Sequence, residues 1–185
     1  MRAFVAIDID ETVRRRLVAA QEQLAATGAD IKLVEPPNIH VTMKFLGEVL
    51  EDKISGIEEA LKRSVAGTSQ FDIGVKGIGV FPSLHYVRVV WAGIDEGGSE
   101  LVNIQRKIDG ELQQLGFSPE RDSVPHLTIA RVRTAKNRDR LAAFVKEEAE
   151  AEFGVTRAQV VELKQSTLTQ KGPIYSTLAR VELGR

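Results

Sequence analysis

The chain has 185 residues, 43% of them hydrophobic and 28% charged, with a formal net charge of −1. That balance suits one large domain or two small lobes and excludes a globally basic nucleic-acid binder, though not a local basic cleft. Cysteine is absent, which excludes disulfides and thiolate metal sites.

Residues 3–8 read as a buried strand. The segment is too short and too soon acidic for a signal peptide, and no apolar run nears the roughly 20 residues of a membrane span, so a cytoplasmic protein free of the membrane is expected. Asp10 caps a helix to about Thr27, with Val13, Leu17, Ala20 and Leu24 on one face and Gly28 as its stop. Ile31 to Val34 is a short strand and 35–37 a break. A strand carrying His40 follows and closes at Gly47. Residues 51–66 form a second helix on Ile54, Ile57, Leu61 and Val65. Phe71 to Val80 is a strand whose glycines predict a bulge or a close backbone approach, and residues 81–83 are a turn. Val87 to Ile94 is a strand. Leu101, Ile104, Ile108, Leu112 and Leu115 mark a third helix, stopped by Gly116. A polar loop over 117–124 leads to a strand carrying His126. Leu141, Phe144, Val145 and Ala149 mark a fourth helix. Residues 159–183 form a hairpin around Lys171-Gly172-Pro173.

Two of the three histidines share one pattern: Ile39-His40-Val41-Thr42-Met43-Lys44 and Pro125-His126-Leu127-Thr128-Ile129-Ala130-Arg131. On a strand, residues i and i+2 share a face. His40 therefore joins Thr42, and His126 joins Thr128. The two histidines stand 86 positions apart. The same shift lays strand 3–8 on 88–94, helix 10–27 on 97–115, helix 51–66 on 137–151 and strand 71–80 on 158–167. The order strand, helix, His strand, helix, strand thus occurs twice, in approximate repeats 3–80 and 87–168. An internal duplication within one domain, 1–185, is expected, with a pseudo-two-fold axis between the His strands.

Two imidazoles across a cleft supply a base and an acid for one displacement near pH 7. Hydroxyls of Thr42 and Thr128 donate to nonbridging oxygens, and a phosphate diester fits that set. Arg131 and Lys44 are nearby cations for its charge. Alternation puts Lys44 on the His40 face but Arg131 on the face opposite His126, so Arg131 reaches the cleft only if the strand bends near Ala130. A lone His-x-Thr carries no information; the doubling makes the case.

Other features have blander readings. His85 is an exposed loop residue. Trp91 and Phe45 are expected in the core rather than as base-stacking platforms. Lys136, Arg138 and Arg140 read as a solvated helix start, with contact to a nucleic-acid backbone as the alternative. Two histidines on separate strands, with no HExxH, do not make a zinc site. Asp8 and Asp10 belong to no carboxylate cluster. Gly74 to Gly79 lacks P-loop spacing, and no Gly-x-Ser-x-Gly elbow is present.

The paired motifs resemble those of the two-histidine (2H) phosphoesterase superfamily, and within it the RNA 2′,3′-cyclic phosphodiesterases, also called 2′-5′ RNA ligases. The matching segments are Arg2-Ala-Phe-Val-Ala-Ile7, Val34-Glu-Pro-Pro-Asn-Ile-His-Val-Thr-Met-Lys-Phe-Leu-Gly-Glu-Val49, Phe81-Pro82, Arg88-Val-Val-Trp91 and Pro125-His-Leu-Thr-Ile-Ala-Arg131, and the likeness runs to the Ile174-Tyr175 hairpin. The resemblance implies a bilobal α+β fold of two pseudo-symmetric lobes, each with an antiparallel sheet flanked by helices, around a central cleft. It implies opening of a 2′,3′-cyclic phosphate to a 2′-phosphate without metal or other cofactor. His40 and His126 are then the acid–base pair, and Thr42, Thr128 and Arg131 bind the phosphate. Lys44 is a further substrate-binding candidate. His126 is taken as base toward water and His40 as acid toward the 3′-oxygen, a pair of roles that pseudo-symmetry leaves interchangeable. The same site run backwards joins a cyclic end to a 5′-hydroxyl. The expected partner is an RNA with a 2′,3′-cyclic phosphate end, tRNA fragments included, or a cyclic nucleotide, and a monomer suffices. The competing readings are a non-catalytic RNA- or nucleotide-binding module and a phosphodiesterase for small cyclic nucleotides.

Overall fold

Two antiparallel sheets carry the molecule, seen in a computed structural model that describes residues 1–121 and 123–185. In chain order the elements are β1 (Arg2–Ile7), α1 (Glu11–Ala26), β2 (Ile31–Leu33), β3 (Val41–Glu48), α2 (Ile54–Val65), β4 (Phe71–Ser83), β5 (Tyr86–Ile94), α3 (Gly98–Gln113), β6 (Leu127–Val132), α4 (Arg138–Glu147), β7 (Glu152–Ala158), β8 (Val160–Thr169) and β9 (Gly172–Glu182). Short 3-10 turns at Pro36–Asn38 and Glu51–Lys53 precede β3 and α2.

The first sheet has the order β3-β1-β8-β9 and the second β2-β6-β5-β4-β7. Each His strand lies beside the strand that opens its own half, β3 beside β1 and β6 beside β5. The third strands are exchanged: β4 pairs with β5, and β8 pairs with β1. The helices follow suit. α2 and α3 pack on the first sheet through β9 and β3, while α1 and α4 pack on the second through β7, β6 and β4. The lobes are interleaved rather than laid end to end in sequence. Each helix buries the stripe its periodicity marks, Val13, Leu17, Ala20 and Leu24 on α1 and Leu101, Ile104, Ile108 and Leu112 on α3. Among the described residues no helix is long and apolar enough to cross a membrane.

Four boundaries differ from the sequence expectation. The turn after β4 falls at Leu84 and His85, because β4 runs on through Phe81 and Pro82. Pro82 stands where β7 no longer flanks β4 and where the ladder to β5 is irregular, between Phe81 and Pro82, the edge-and-bulge setting in which a strand takes proline. β7 has no counterpart in the sequence expectation; Gly154, at φ +106°, interrupts its alternation. The fourth helix ends at Glu147 instead of running to about 151. Both histidines stand one residue before their strands rather than within them. The glycine expectation for β4 is met: the sheet is bulged between Val75 and Ile78, and the Trp91 ring lies so close over Gly79 that no Cβ fits.

Candidate active site

Bulges decide which side chains reach the cleft between the sheets. β1 and β3 pair Ala6 with Thr42 and Val5 with Lys44, passing over Met43, and a second irregularity lies between Ala3 and Phe4. An extra residue inverts the alternation beyond it. Phe45, not Lys44, then follows Thr42 into the cleft. The second sheet does the same. β5 pairs Trp91 with Thr128 and Val90 with Ala130, passing over Ile129. Arg131 thereby joins Thr128 on the cleft side, by a bend at Ile129 rather than at Ala130.

His40, Thr42, Thr128 and Arg131 line one cavity of about 220 Å³ together with Phe4, Phe45 and Tyr175. Arg131 and Tyr175 face one another from opposite sheets. Burial raises the Tyr175 phenol above its ordinary range, and the Arg131 charge pulls it partly back. His126 does not line the cavity. Its ring lies against Phe81, with centroids 5.1 Å apart, and near Trp91 at 6.2 Å.

The two imidazoles are held differently. His126 Nδ1 donates to the Val124 carbonyl at 2.7 Å, which leaves Nε2 free. His40 is anchored by its own threonine, with Nε2 2.9 Å from the Thr42 hydroxyl, and the Asn38 backbone favours its protonated form. His40 stacks on Phe4 at 5.0 Å and meets the edge of Tyr175 at 5.5 Å. That burial, with the Lys164 charge second, lowers its pKa from 6.5 to about 4. The free protein therefore holds His40 neutral at pH 7.

Lys44 does not reach the site. It is 2% exposed and pairs with Asp109 at 2.6 Å, also donating to the Ser118 carbonyl at 2.8 Å. The 86-residue shift carried that signal: it sets Lys44 on Ala130 and Phe45 on Arg131, so the cleft-facing twin of Arg131 is Phe45. Phe45 is accordingly not core but 64% exposed. Trp91 is half-buried beside His126.

Sequence reasoning missed several supporting residues. Arg14, buried on α1, donates to the carbonyls of Pro36 and Ile39 and binds Asp8 at 2.7 Å, fixing the turn that presents His40. Gln21 Nε2 donates to the carbonyls of Val34 and Ile129, the latter at the bulge beside Arg131. Lys164 and Tyr175 come from β8 and β9, far along the chain, and only the strand exchange brings them to His40. Among the described residues no three His, Cys, Asp or Glu side chains converge as a metal would require.

The same architecture recurs in solved structures. One from Thermus thermophilus aligns with a TM-score of 0.82 at 25% identity, covering 99% of this chain and 98% of that one. E. coli LigT complexed with NADP+ aligns at 0.80 with 22% identity over 100% and 98%, a likeness of fold alone. The frame is two interleaved sheets that touch along β3 and β6, the strands of the two His-x-Thr motifs. A family model, LigT like Phosphoesterase, matches the chain twice, at residues 7–91 and 93–175. The chain belongs to that family, the two-histidine phosphoesterases. Among its curated relatives, an RNA 2′,3′-cyclic phosphodiesterase of Methanothermobacter thermautotrophicus is 43% identical over 178 residues, 96% of each chain. One of Methanocaldococcus jannaschii, with the same name, is 42% identical over 96% of this chain and 98% of its own.

Proposed function

We propose that this cyclic phosphodiesterase opens RNA 2′,3′-cyclic phosphate ends to 2′-phosphates, with His40 and His126 as its acid–base pair. The observation that carries the reading is the matched presentation of the two imidazoles. Each sits one residue before its strand and is followed two residues on by a threonine that lines the cavity. Relatives named for this reaction and matched over nearly the whole chain support the substrate.

In this reading the cyclic phosphate lies between Thr42, Thr128 and Arg131, whose donors stabilise charge developing on the nonbridging oxygens. A water oxygen attacks phosphorus while His126 Nε2 takes its proton. The phosphorus–O3′ bond breaks, and the proton carried by His40 goes to the departing O3′. A 3′-hydroxyl and a 2′-phosphate result, and the pair is left with its roles exchanged. Substrate negative charge beside His40 raises its proton affinity, so His40 loads its proton as substrate binds. The neutral state of free His40 favours the opposite assignment, with His40 as base, and the two assignments are separable by experiment. Run backwards with a 5′-hydroxyl in place of water, the site would form a 2′-5′ linkage without a nucleotide cofactor. The RNA is bound by a single chain, whose cleft both lobes complete.

The test is an RNA oligomer ending in a 2′,3′-cyclic phosphate, incubated with the protein in chelator. The expected product carries a 2′-phosphate, resistant to enzymes specific for 3′-monophosphates, and disappears in His40→Ala and His126→Ala. Full activity in either variant rejects the two-histidine mechanism. Binding without turnover identifies a binding module, and turnover of small cyclic nucleotides alone identifies a different substrate class.

A further inference from the structure

Beyond the cleft, β6 runs on from Arg131 into a second concavity of about 120 Å³. Its walls include Arg88, Arg133 and Arg138, with Tyr86, His85 and Thr134. Among the described residues no acidic side chain lines it. Nor, among those residues, has any of the three guanidinium groups a carboxylate within ion-pair distance, although acidic and basic residues are almost equal in number along the chain. Like charges gathered without counterions repel one another, and an incoming anion relieves that repulsion. Arg138 donates to the His85 carbonyl, at 3.3 Å. Arg88 donates to the Tyr86 hydroxyl at 2.7 Å and lies 5.6 Å from the centre of its ring. Tyr86 is 59% exposed, so an aromatic face stands open beside three forked cations. That combination, stacking surface plus guanidinium groups, is what a single-stranded nucleic acid engages without regard to sequence.

The placement adds direction. Arg133 lies two residues beyond Arg131, about 7 Å along the same strand direction. Arg88 neighbours Val89, the strand partner of Arg131, and Arg138 comes from α4, so both stand on the helix side of the sheet, and an RNA held at Arg131 reaches them by turning over the end of β6.

We propose that Arg88, Arg133, Arg138 and Tyr86 form a second contact that grips the backbone of an RNA strand a few nucleotides upstream of the end held in the cleft. The inference rests on the RNA reading above and deepens it: the preferred substrate is an oligonucleotide, not a mononucleotide. The exposed start of α4, read from sequence as a solvated face or a backbone contact, acquires the second role through Arg138.

The experiment compares binding of two unreactive RNAs with 2′-phosphate ends, a dinucleotide and a decamer, by fluorescence anisotropy across a salt series. Turnover of a 2′,3′-cyclic mononucleotide is measured beside it. The wild-type protein should bind the decamer more tightly than the dinucleotide. The double variant Arg133→Ala/Arg138→Ala should weaken decamer binding at least about tenfold and lower the salt slope by about 1.4, roughly 0.7 for each phosphate of a single strand no longer held. Dinucleotide binding and mononucleotide turnover should stay at wild-type values. Arg133→Lys/Arg138→Lys, which keeps the charge, should retain most of the decamer affinity. Equal wild-type affinity for the two RNAs overturns the proposal, and so does an equal loss on both in the alanine variant. Decamer binding through this patch without any cyclic-phosphate turnover would sustain the second contact while removing the catalytic reading.

Discussion

The side-chain amide of Gln21 donates to the Ile129 carbonyl across 2.9 Å, at the residue where β6 bulges. α1 thus reaches from the first half of the chain to support the bend that turns Arg131 toward the cleft. Gln21→Leu takes this donor from the half-buried Val34 carbonyl and from the buried Ile129 carbonyl, which keeps the Val34 N–H. It should cost about 1–3 kcal/mol in urea unfolding. If Gln21 positions Arg131, KM for a cyclic-phosphate RNA also rises, an effect that a purely structural role would not produce.

Arg131→Lys keeps the charge but loses the planar fork. kcat/KM should fall roughly 10–100-fold, with Arg131→Ala lower still. Steady-state kinetics on a cyclic-phosphate oligomer decide this, and wild-type rates in Arg131→Lys would remove Arg131 from phosphate binding.

Lys44 is expected to matter for stability rather than for chemistry. Its partner Asp109 also accepts from the Glu120 backbone, so the pair anchors the loop that leads toward His126. Lys44→Met should lower stability by about 3 kcal/mol by stranding a carboxylate, and Lys44→Met/Asp109→Leu should recover much of that loss. Chemical denaturation of the single and double variants measures the difference.

His40 makes stability fall with acid. Its pKa is about 4 folded against 6.5 as the ordinary value. Between those values the unfolded chain binds the extra proton, so stability is full above about 6.5 and declines as pH drops toward 4. The upper limit of the decline is about 3 kcal/mol. In His40→Asn that component should vanish from the pH profile of the unfolding free energy; an unchanged profile would place the acid sensitivity elsewhere.

The acid and the base separate by leaving group. An activated aryl phosphodiester leaves without protonation, so loss of the acid is largely rescued on it while loss of the base is not. Comparing His40→Ala and His126→Ala on activated and natural substrates names each role. Rescue of His40→Ala confirms it as acid, and rescue of His126→Ala reverses the pair.

Much of this site was legible because His-x-Thr occurs twice at matched places, and because apolar periodicity marks the helices Val13–Leu24 and Leu101–Leu112. What escaped is the set of features without a local marker. A bulge adds one residue to a strand without changing its composition, so Met43 and Ile129 look like ordinary apolar positions. The alternation rule therefore chose Lys44 over Phe45 and left Arg131 in doubt. Strand exchange is a matter of long-range pairing, to which period and propensity are blind. Tyr175 and Lys164 consequently carried no sign of belonging beside His40.

That exchange also governs when the protein can fold. β1 is made long before β8, one of its two neighbours, and β8 has β9 on its other side. The sheet that presents His40 stays unfinished until β8 and β9 have been made. A free chain cut before Val160 would carry every strand of the second sheet but only β1 and β3 of the first, with Val5 and Ile7 beside a bare strand edge.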